Sequence, residues 1–542
     1  MTPLGPGARI VETMAMRFFN TAGPVDHRKH YCLPPLERLD LATVLLLIAQ
    51  EKYFVLHAPR QTGKTSALLA LMDHLNAQGT HRCVYINVEV GQAAREDVTA
   101  AMRAILGELA RRARMILNDS FVDDIWDETF SKYGPFGVFG EVLSRWAGHH
   151  PTPLVVLVDE IDALVGDTLL AVLRQLRAGY PWRPQHFPQS VVLCGVRDVR
   201  DYRIHSTQEK AIITGGSAFN IKAESRRLGD FARSEVETLY RQHTDETGQP
   251  FTPEALARVW ELTEGQPWLV NALGYDACFR SPTGRERTHP ITAAAIDEAR
   301  EQLILRRETH LDQLADKLEE ARVQRVIEPV LAGDVLADAL NKDDVSYVVD
   351  LGLIKQASTG ALRLANPIYQ EIIPRELTWD IQSGMTEQTS WYVQADGSLN
   401  MEQLLMAFQA FFREHAEHWV ERFQYKEAGP QLLLQAFLQR IVNSGGRIER
   451  EHGLGRMRTD LLVLWPYQGG VQKVVIELKV LHKNLEQTIT TGLDQTWAYM
   501  DRCAASAGHL VIFDRTPSKP WEEKVFHRQE QVRGHSIHVW GM

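Results

Sequence analysis

The sequence is poor in cysteine, and its cysteines show no pairing pattern. Five are present among 542 residues, at Cys32, Cys83, Cys194, Cys278 and Cys503, and no CxxC pair occurs. This spacing excludes a disulfide framework and a structural metal site built from cysteines. It indicates a protein of a reducing compartment.

Long apolar runs and a secretory leader are also absent from this sequence. The longest apolar run, around residues 41–49, is half of the roughly 20 residues that a membrane-spanning helix needs. No charged segment followed by an apolar stretch and a small-residue cleavage site opens the chain, which predicts no secretory signal. We therefore expect a cytoplasmic protein with no membrane partner.

The composition excludes a protein that coats nucleic acid over its whole surface. The chain is 44% hydrophobic and 24% charged, as in ordinary globular domains, and its net charge is −10. Its length fits about three or four domains. Residues 421–542 carry 16 Lys and Arg against 13 Asp and Glu, so any polyanion site is expected at this end.

The stretch YFVLHAPRQTGKTS, at Tyr53–Ser66, predicts a strand, a phosphate loop and the start of a helix. It matches GxxxxGK[ST] except that Ala58 replaces the first glycine. Gly63 lets backbone N–H groups close on phosphate oxygens, Lys64 reaches the β- and γ-phosphates, and Thr65 offers its hydroxyl to Mg²⁺. The residues predicted to bind ATP here are Ala58, Pro59, Arg60, Gln61, Thr62, Gly63, Lys64, Thr65 and Ser66.

A second apolar strand, in PLVVLVDEIDAL at 153–164, ends in two acids. Asp159 is expected to hold the hydration shell of Mg²⁺, and Glu160 to polarise the attacking water. A third apolar strand, at 190–196, runs into Arg197. Arg197 suits a sensor of the γ-phosphate, and an ordinary ion pair at the strand end is the alternative.

Residues 17–376 resemble the AAA+ and signal-transducing (STAND) ATPases, in particular a large group of prokaryotic AAA-like proteins. The resemblance is carried by FFNTAGPVDHRKHYCLPPLERLDL, APRQTGKTS, VLVDEIDAL and LTEGQPWLVNAL. It implies an ATPase core at 26–215 behind a tail at 1–25, followed by a helical lid at 216–290. It also implies that the lid turn ending in Pro267 lies near the nucleotide.

A winged-helix domain is predicted at 291–377. Within it, residues 344–377 favour the order helix, strand, turn, strand, helix. The basic residues in this run are few, among them Lys355 and Arg363, which favours a surface for a protein partner over DNA. Residues 378–420 are expected to form a linker and a helical segment.

The C-terminal strand VQKVVIELKVL carries Glu477 and Lys479 on one face. Burying a carboxylate and an ammonium on an apolar strand is costly unless they pair or bind an ion. Sixteen residues separate Asp460 from Glu477, and these two carboxylates with the Leu478 carbonyl suit one or two Mg²⁺ ions, or Mn²⁺. Lys479 then orients or helps deprotonate the attacking water in phosphodiester hydrolysis.

This set resembles the PD-(D/E)XK nuclease superfamily over about residues 421–515, with Thr459-Asp460 where the family has Pro-Asp. Gln495 and Tyr499, one helical turn apart, resemble the Gln-x-x-x-Tyr element of a subgroup often attached to AAA-like ATPases. The nuclease-like domain is expected to cover 421–542.

The third carboxylate of this nuclease-like site is predicted to be Glu427, and Glu449 or Glu451 is the alternative. A basic approach for phosphate groups is expected from Arg450, Arg456, Arg458 and Lys483. Phosphate contacts of this kind position a nucleic acid without reading its sequence.

Together these patterns predict an α/β protein with a P-loop NTPase core, a helical lid and a winged-helix domain, followed by a restriction-endonuclease-like α/β domain. We expect a homo-oligomer in which ATP controls a nuclease acting on nucleic acid, with DNA favoured over RNA. A role in defence against phage or mobile DNA is implied by the resemblance alone. Two alternatives stay open: a non-cleaving ATP-dependent regulator and, ranked lower for want of other helicase motifs, a translocase.

Overall fold

The structure, a computed structural model, divides into two compact units. Unit 1 comprises Met1–Leu305 and Asp350–Gly352, and unit 2 comprises Arg306–Val349 and Leu353–Met542. The residues that the structure describes are 16–198, 203–206, 211–214, 219–306, 316–332, 340–357, 360–374, 392–422, 429–442, 447–452, 459–481, 484–514, 516 and 519–542.

The strands of the described residues are numbered in chain order. They are β1 (Phe18–Phe19), β2 (His30–Tyr31), β3 (Tyr53–His57), β4 (Arg82–Asn87), β5 (Leu154–Asp159), β6 (Ser190–Gly195), β7 (Arg203–Ser206), β8 (Ala211–Thr214), β9 (Lys222–Arg227), β10 (Ile354–Gln356), β11 (Leu362–Leu364), β12 (Arg447–His452), β13 (Thr459–Tyr467), β14 (Gly470–Val480), β15 (Ala507–Phe513), β16 (Phe526–Val532) and β17 (His535–Gly541).

The α-helices are numbered in the same way. They are α1 (Pro35–Arg38), α2 (Leu41–Ala49), α3 (Lys64–Gln78), α4 (Val98–Leu117), α5 (Phe121–Tyr133), α6 (Val138–His149), α7 (Gly166–Gly179), α8 (Arg233–Thr247), α9 (Pro253–Thr263), α10 (Pro267–Tyr275), α11 (Pro282–Glu286), α12 (Ala293–Arg306), α13 (Ala321–Ala332), α14 (Lys342–Asp350), α15 (Met401–Arg422), α16 (Gly429–Val442), α17 (Leu485–Cys503) and α18 (Trp521–Lys524). A further helix covers residues 367–374. Among the described helices, none combines the length and the apolar character that crossing a membrane requires.

Unit 1 is built on a five-stranded sheet in the order β4-β5-β6-β3-β9. Every neighbouring pair in it is parallel. The carboxyl ends of all five strands therefore meet at one edge, where open α/β sheets bind their ligands. The phosphate-loop strand β3 lies inside the sheet, between β6 and β9.

Both faces of this sheet are covered, as the apolar strand sequences predicted. Val155 and Leu157 of β5 pack with Leu68 of α3 on one face. Val156 and Val158, which alternate with them, pack with α4 and α7 on the other face. A parallel sheet buried on both sides favours continuous apolar strands over alternating ones.

Part of the predicted N-terminal tail belongs to the fold of unit 1. Phe18–Phe19 form β1, which pairs in parallel with β2. The Phe19 side chain is fully buried, and its ring lies 5.1 Å from the ring of Tyr31. A strand of two residues carries no periodicity, so local pattern did not reveal it.

By sequence, residues 33–50 are expected to form one helix before the phosphate-loop strand, but the structure divides it in two. It consists of α1 and α2, separated by Asp40, whose φ is +53°. Asp and Asn adopt this left-handed backbone more readily than other residues with a side chain. The carboxylate of Asp40 accepts a hydrogen bond from Arg226 of β9 at 2.6 Å.

The lid of unit 1 contains α8, α9 and α10. Thr252 caps α9 by accepting a hydrogen bond from the backbone N–H of Ala255, and Pro253 occupies the first turn. The lid turn predicted to end in Pro267 is present and breaks the helix at Gly265, since α9 ends at Thr263 and α10 begins at Pro267. Gly265 has a φ of +79°, and its carbonyl accepts a hydrogen bond from the Phe231 N–H at 2.8 Å.

Unit 2 begins with the predicted winged-helix order. Helix α14 is followed by the antiparallel pair β10–β11, with Ile354 opposite Leu364, and then by the helix at 367–374. Most of the predicted linker lies outside the described residues, and its helical end is α15.

The rest of unit 2 is a six-stranded mixed sheet in the order β12-β13-β14-β15-β17-β16. β12, β13 and β14 are antiparallel neighbours, whereas β15 pairs in parallel with both β14 and β17. One face packs against α17 through Tyr499 and Met500. On α15, the Gln409 amide donates to the carbonyls of Phe526 and Gly541.

We expect Gly265→Ala to destabilise unit 1 more than Gly248→Ala does. Both glycines have a left-handed φ, which costs an alanine about 1–2 kcal/mol. A Cβ at Gly265 would also overlap the Phe231 carbonyl oxygen, whereas nothing lies within 4 Å of a Cβ at Gly248. Thermal unfolding should therefore show a loss of about 2–5 kcal/mol for Gly265→Ala. Equal losses in the two variants would contradict this account.

Candidate functional site

The phosphate loop joins the end of β3 to the start of α3. Gly63 precedes the helix with a φ of +94°, and Gln61 also has a left-handed φ of +58°. The Thr62 hydroxyl donates to the Pro59 carbonyl at 2.8 Å, which closes the turn on itself. Ala58 is fully buried and has no left-handed φ, so an alanine fits where the motif has glycine.

Lys64 lies inside this loop. Its ammonium donates to the carbonyl oxygens of Ala58 and Pro59, each at 3.0 Å. The side chain is 5% exposed. Two loop carbonyls therefore hold a buried positive charge at the mouth of the phosphate loop, where an anion would be bound.

Asp159 faces the phosphate loop from the end of β5. Its Oδ2 accepts hydrogen bonds from the hydroxyls of Thr65 at 2.8 Å and Tyr85 at 2.9 Å. Its Oδ1 accepts from the Glu160 N–H at 3.0 Å. The structure thus brings together two residues, Thr65 and Asp159, that were predicted to serve Mg²⁺.

Tyr85 is a member of this site that the motifs did not reveal. It lies on β4 beside β5, and no phosphate-loop or acidic-strand pattern includes it. Burial, and then the neighbouring Asp159, raise the pKa of Tyr85 well above its usual value. The phenol therefore stays protonated and keeps donating to the carboxylate.

Glu160 follows Asp159 with a left-handed φ of +56°. Burial raises the pKa of its carboxyl above the usual value, and Lys64 opposes this rise. A raised pKa brings a carboxylate closer to the range of a general base at neutral pH.

Arg197 lies just beyond the end of β6 and is nearly buried. Its Nε donates to Oδ2 of Asp350 at 3.4 Å. The ion pair that was the alternative for Arg197 is thus present, but its partner is remote in sequence.

An open cleft lies beside the phosphate loop. Gln61, Thr62, Gly63 and Ser66 line one part of it. Pro267 and Trp268 of the lid line another part, with Asn20–Gly23 of the N-terminal segment. The structure therefore places Pro267 in one cleft with the phosphate loop.

Arg38 also lines this cleft, and no motif predicted it. Its guanidinium donates to the carbonyls of Thr62 at 2.9 Å and Gly229 at 2.7 Å. It also lies 4.6 Å from the centre of the Phe231 ring. The only sequence signal was its place in the stretch that carried the ATPase resemblance.

In unit 2, the predicted pair on β14 is present. Glu477 is fully buried and Lys479 is nearly so, and the Lys479 ammonium donates to the Glu477 carboxylate. Leu478 lies between them and pairs with Val511 of β15. Tyr499 of α17 packs against Val475, on the same face of the sheet as Glu477.

Asp460 belongs to β13, next to the pair formed by Leu461 and Ile476. The positions that follow this pair along the two antiparallel strands are Asp460 on β13 and Glu477 on β14. The helix carrying Gln495 lies on the Glu477 side, and the Gln495 amide oxygen is buried with no hydrogen bond within the described part of the chain.

Other predicted residues of this site cannot be placed. The side chains of Asp460, Glu449, Arg450 and Glu451, and the whole of Glu427, Arg456, Arg458 and Lys483, lie outside the described residues. Across the side chains that are described, no three His, Cys, Asp or Glu groups come together as a metal site.

Comparison with known proteins identifies the class of the chain. The family model described as an AAA-like domain matches residues 48–370, more than half of the sequence. The chain belongs to this AAA-like family, and its α/β fold with a parallel sheet carries an ATPase-like phosphate loop. No curated protein matches the chain.

Solved structures show similarity at low identity. The Walker-type ATPase PABY2304 of Pyrococcus abyssi is 14% identical, with a TM-score of 0.43, over 66% of this chain and 99% of that one. Cdc6p from Pyrobaculum aerophilum is 13% identical, with a TM-score of 0.33, over 67% and 96%. The RuvB Holliday junction branch migration motor of Thermotoga maritima is 13% identical, with a TM-score of 0.32, over 62% and 94%.

We expect Glu160→Gln to raise the Tm at about pH 7.5 but not at about pH 4. The folded-state pKa of Glu160 is raised, so its ionised form destabilises the fold above that pKa. Below the usual pKa of a glutamate the carboxyl is protonated in both states, and the penalty disappears. Calorimetry over this range tests the change, with the exposed Glu89→Gln as control. A gain in Tm that is independent of pH would contradict it.

Proposed function

We propose that this protein binds and hydrolyses ATP with Mg²⁺, and that the nucleotide controls a metal-dependent nuclease in the C-terminal domain. The observation that carries the ATPase part is the 2.8 Å hydrogen bond from Thr65 to Asp159. It joins the phosphate loop to the acidic strand end, next to the buried ammonium of Lys64.

The donor groups fit Mg²⁺ and a triphosphate. A hydroxyl and a carboxylate are the hard oxygen ligands that Mg²⁺ prefers, and Thr65 and Asp159 would hold it directly or through water. Lys64 and the N–H groups at the start of α3 would bind the phosphate oxygens. When bound, Mg²⁺ neutralises charge that develops on the transferred phosphoryl group. Glu160 would orient the attacking water.

The cleft beside the loop suits the rest of the nucleotide. It is lined by polar groups of the phosphate loop and by apolar side chains of the lid, which is the mixture that small-molecule sites use. Pro267 and Trp268 would contact the base and sugar, and Arg38 adds a positive charge near the phosphates. Arg60 belongs to the phosphate loop and is expected to contact those phosphate oxygens that remain exposed to solvent.

We expect Lys64→Ala to lower ATP turnover by at least about 100-fold, because it removes a preorganised cation from the phosphates. Steady-state phosphate release measures this loss. Lys132→Ala, which removes an exposed lysine at the end of α5, is the matched control and should turn over ATP like the wild type. Intact turnover in Lys64→Ala would remove the phosphate-loop assignment.

The nuclease part is supported by the order of elements in unit 2. Helix α16 precedes three antiparallel strands, β12 to β14, and α17 then leads to the parallel neighbour β15. This order resembles the core of the PD-(D/E)XK superfamily. A carboxylate as fully buried as Glu477 is costly in an apolar strand, which favours a functional role.

In this proposal Asp460 and Glu477, with the Leu478 carbonyl, would hold Mg²⁺ or Mn²⁺. Lys479 would orient the water that attacks the phosphodiester bond. Gln495 and Tyr499 would position the carboxylate or the phosphate, and Glu427, Glu449 or Glu451 would add a third carboxylate. DNA is favoured over RNA as the substrate.

Assembly and biological role rest on the resemblance to AAA-like ATPases. It favours a homo-oligomer, a protein partner at the winged helix and a role in defence against phage or mobile DNA.

A second candidate is a non-cleaving, ATP-dependent regulator. The observation that favours it is the direct ion pair between Lys479 and Glu477. In that pair the lysine already compensates the carboxylate, as in a structural pair without metal.

We expect Glu477→Gln to abolish metal-dependent cutting of nucleic acid, because the neutral amide is a poorer ligand for a divalent cation. Plasmid, linear DNA and RNA are incubated with Mg²⁺ or Mn²⁺, with and without ATP. Glu486→Gln, at an exposed carboxylate on α17, is the matched control. Equal cutting by both variants would place the nuclease site elsewhere. Hydrolysis of ATP without cutting of any substrate would favour the regulator.

A further inference from the structure

Arg197 lies where it can report on the phosphate site. Its strand β6 is hydrogen-bonded to both β5 and β3. Gly195, at the end of β6, accepts a hydrogen bond from the N–H of Ala58 in the phosphate loop at 3.3 Å. Arg197 follows two residues later, and its side chain is 7% exposed.

Asp350 places a carboxylate on this arginine. Its Oδ2 accepts the hydrogen bond from Arg197 Nε at 3.4 Å, and its Oδ1 lies 4.0 Å from Nδ1 of His57, the last residue of β3. The Asp350 side chain is 11% exposed. Arg197, Asp350 and His57 thus form a nearly buried polar cluster at the ends of β3 and β6.

The segment Asp350–Gly352 also contacts the phosphate loop. Gly352 has a left-handed φ of +78°, and a Cβ there would lie 2.8 Å from Cγ of Pro59. Asp350–Gly352 belong to unit 1, while the residues before and after them belong to unit 2. The segment that contacts the loop is therefore continuous on both sides with the second unit.

We propose that Asp350 competes with the γ-phosphate for Arg197 and so sets the discrimination between ATP and ADP. This inference rests on the proposed nucleotide site. Arg197 needs an anionic partner because a buried unpaired cation is costly. The bond to Asp350, at 3.4 Å, is longer than the usual 2.7–3.2 Å for N–H···O, and in the proposal a phosphate oxygen replaces Asp350 as its acceptor.

A terminal phosphate is the stronger partner for a guanidinium, since it has more charge and three acceptor oxygens. ADP lacks that phosphate and leaves the Arg197–Asp350 pair intact. ATP exchanges the pair and releases Asp350–Gly352 from the loop. By linkage, an interaction that favours the loop-bound position of this segment weakens ATP binding. The factor is the same as that by which ATP weakens that interaction.

The test compares the full-length wild type with Asp350→Asn by calorimetric titration of ADP and of a non-hydrolysable β,γ-imido ATP analogue. Removing the competing charge should tighten binding of the triphosphate by about tenfold or more, with ADP unchanged. Asp297→Asn is the matched control, because Asp297 is a carboxylate of unit 1 paired with Arg258. It should leave both affinities unchanged.

A selective loss of triphosphate affinity in Asp350→Asn would overturn the competition and make Asp350 a residue that positions Arg197. An equal loss for both nucleotides, or no change, would also overturn it. In an Arg197→Gln background, Asp350→Asn should have no further effect. A wild type that binds neither nucleotide would overturn the proposed ATP site as well.

The wild type alone provides a second readout that does not depend on how the variants fold. Hydrogen exchange at the amides of Asp350–Gly352 should be faster with the triphosphate analogue than with ADP. Equal exchange in the two complexes would contradict the release of this segment.

Discussion

The parallel order of the central sheet is the constraint on which the nucleotide site depends. Because all five strands run in one direction, the ends of β3, β5 and β6 meet at a single edge. The Thr65–Asp159 hydrogen bond spans 94 residues of sequence and exists only because of that order. The same order places Arg197 two residues beyond Gly195, whose carbonyl accepts a hydrogen bond from the Ala58 N–H in the phosphate loop.

Buried charge marks the phosphate loop, the end of β5 and the predicted site on β14. Lys64 is held by loop carbonyls, Asp159 by two hydroxyls and an N–H, and Glu477 by Lys479. Each of these groups is costly to bury and is retained with specific partners. In the phosphate loop backbone carbonyls hold the cation, whereas on β14 the lysine ammonium is paired with the carboxylate.

Local sequence was sufficient for the features that local physics governs. The phosphate-loop turn, the apolar strands and the lid break at Gly265 follow from short-range backbone and burial preferences, and the structure confirms them. The placement of Glu477 and Lys479 on one face also followed from strand alternation, because residues two apart on a strand share a face. The expected helix over 33–50 was wrong at Asp40, where a left-handed backbone interrupts the periodic pattern.

By itself the sequence determined the class of protein and the residues of the phosphate loop. Each of these residues has a chemical role that can be recognised from its immediate neighbours in the sequence. Only the tertiary structure decided which distant groups complete the sites. Tyr85 reaches Asp159 across two strands, Arg38 joins the loop to Gly229, and Asp350 meets Arg197 over 153 residues. Such contacts depend on strand order and chain path, for which neither periodicity nor a motif carries information.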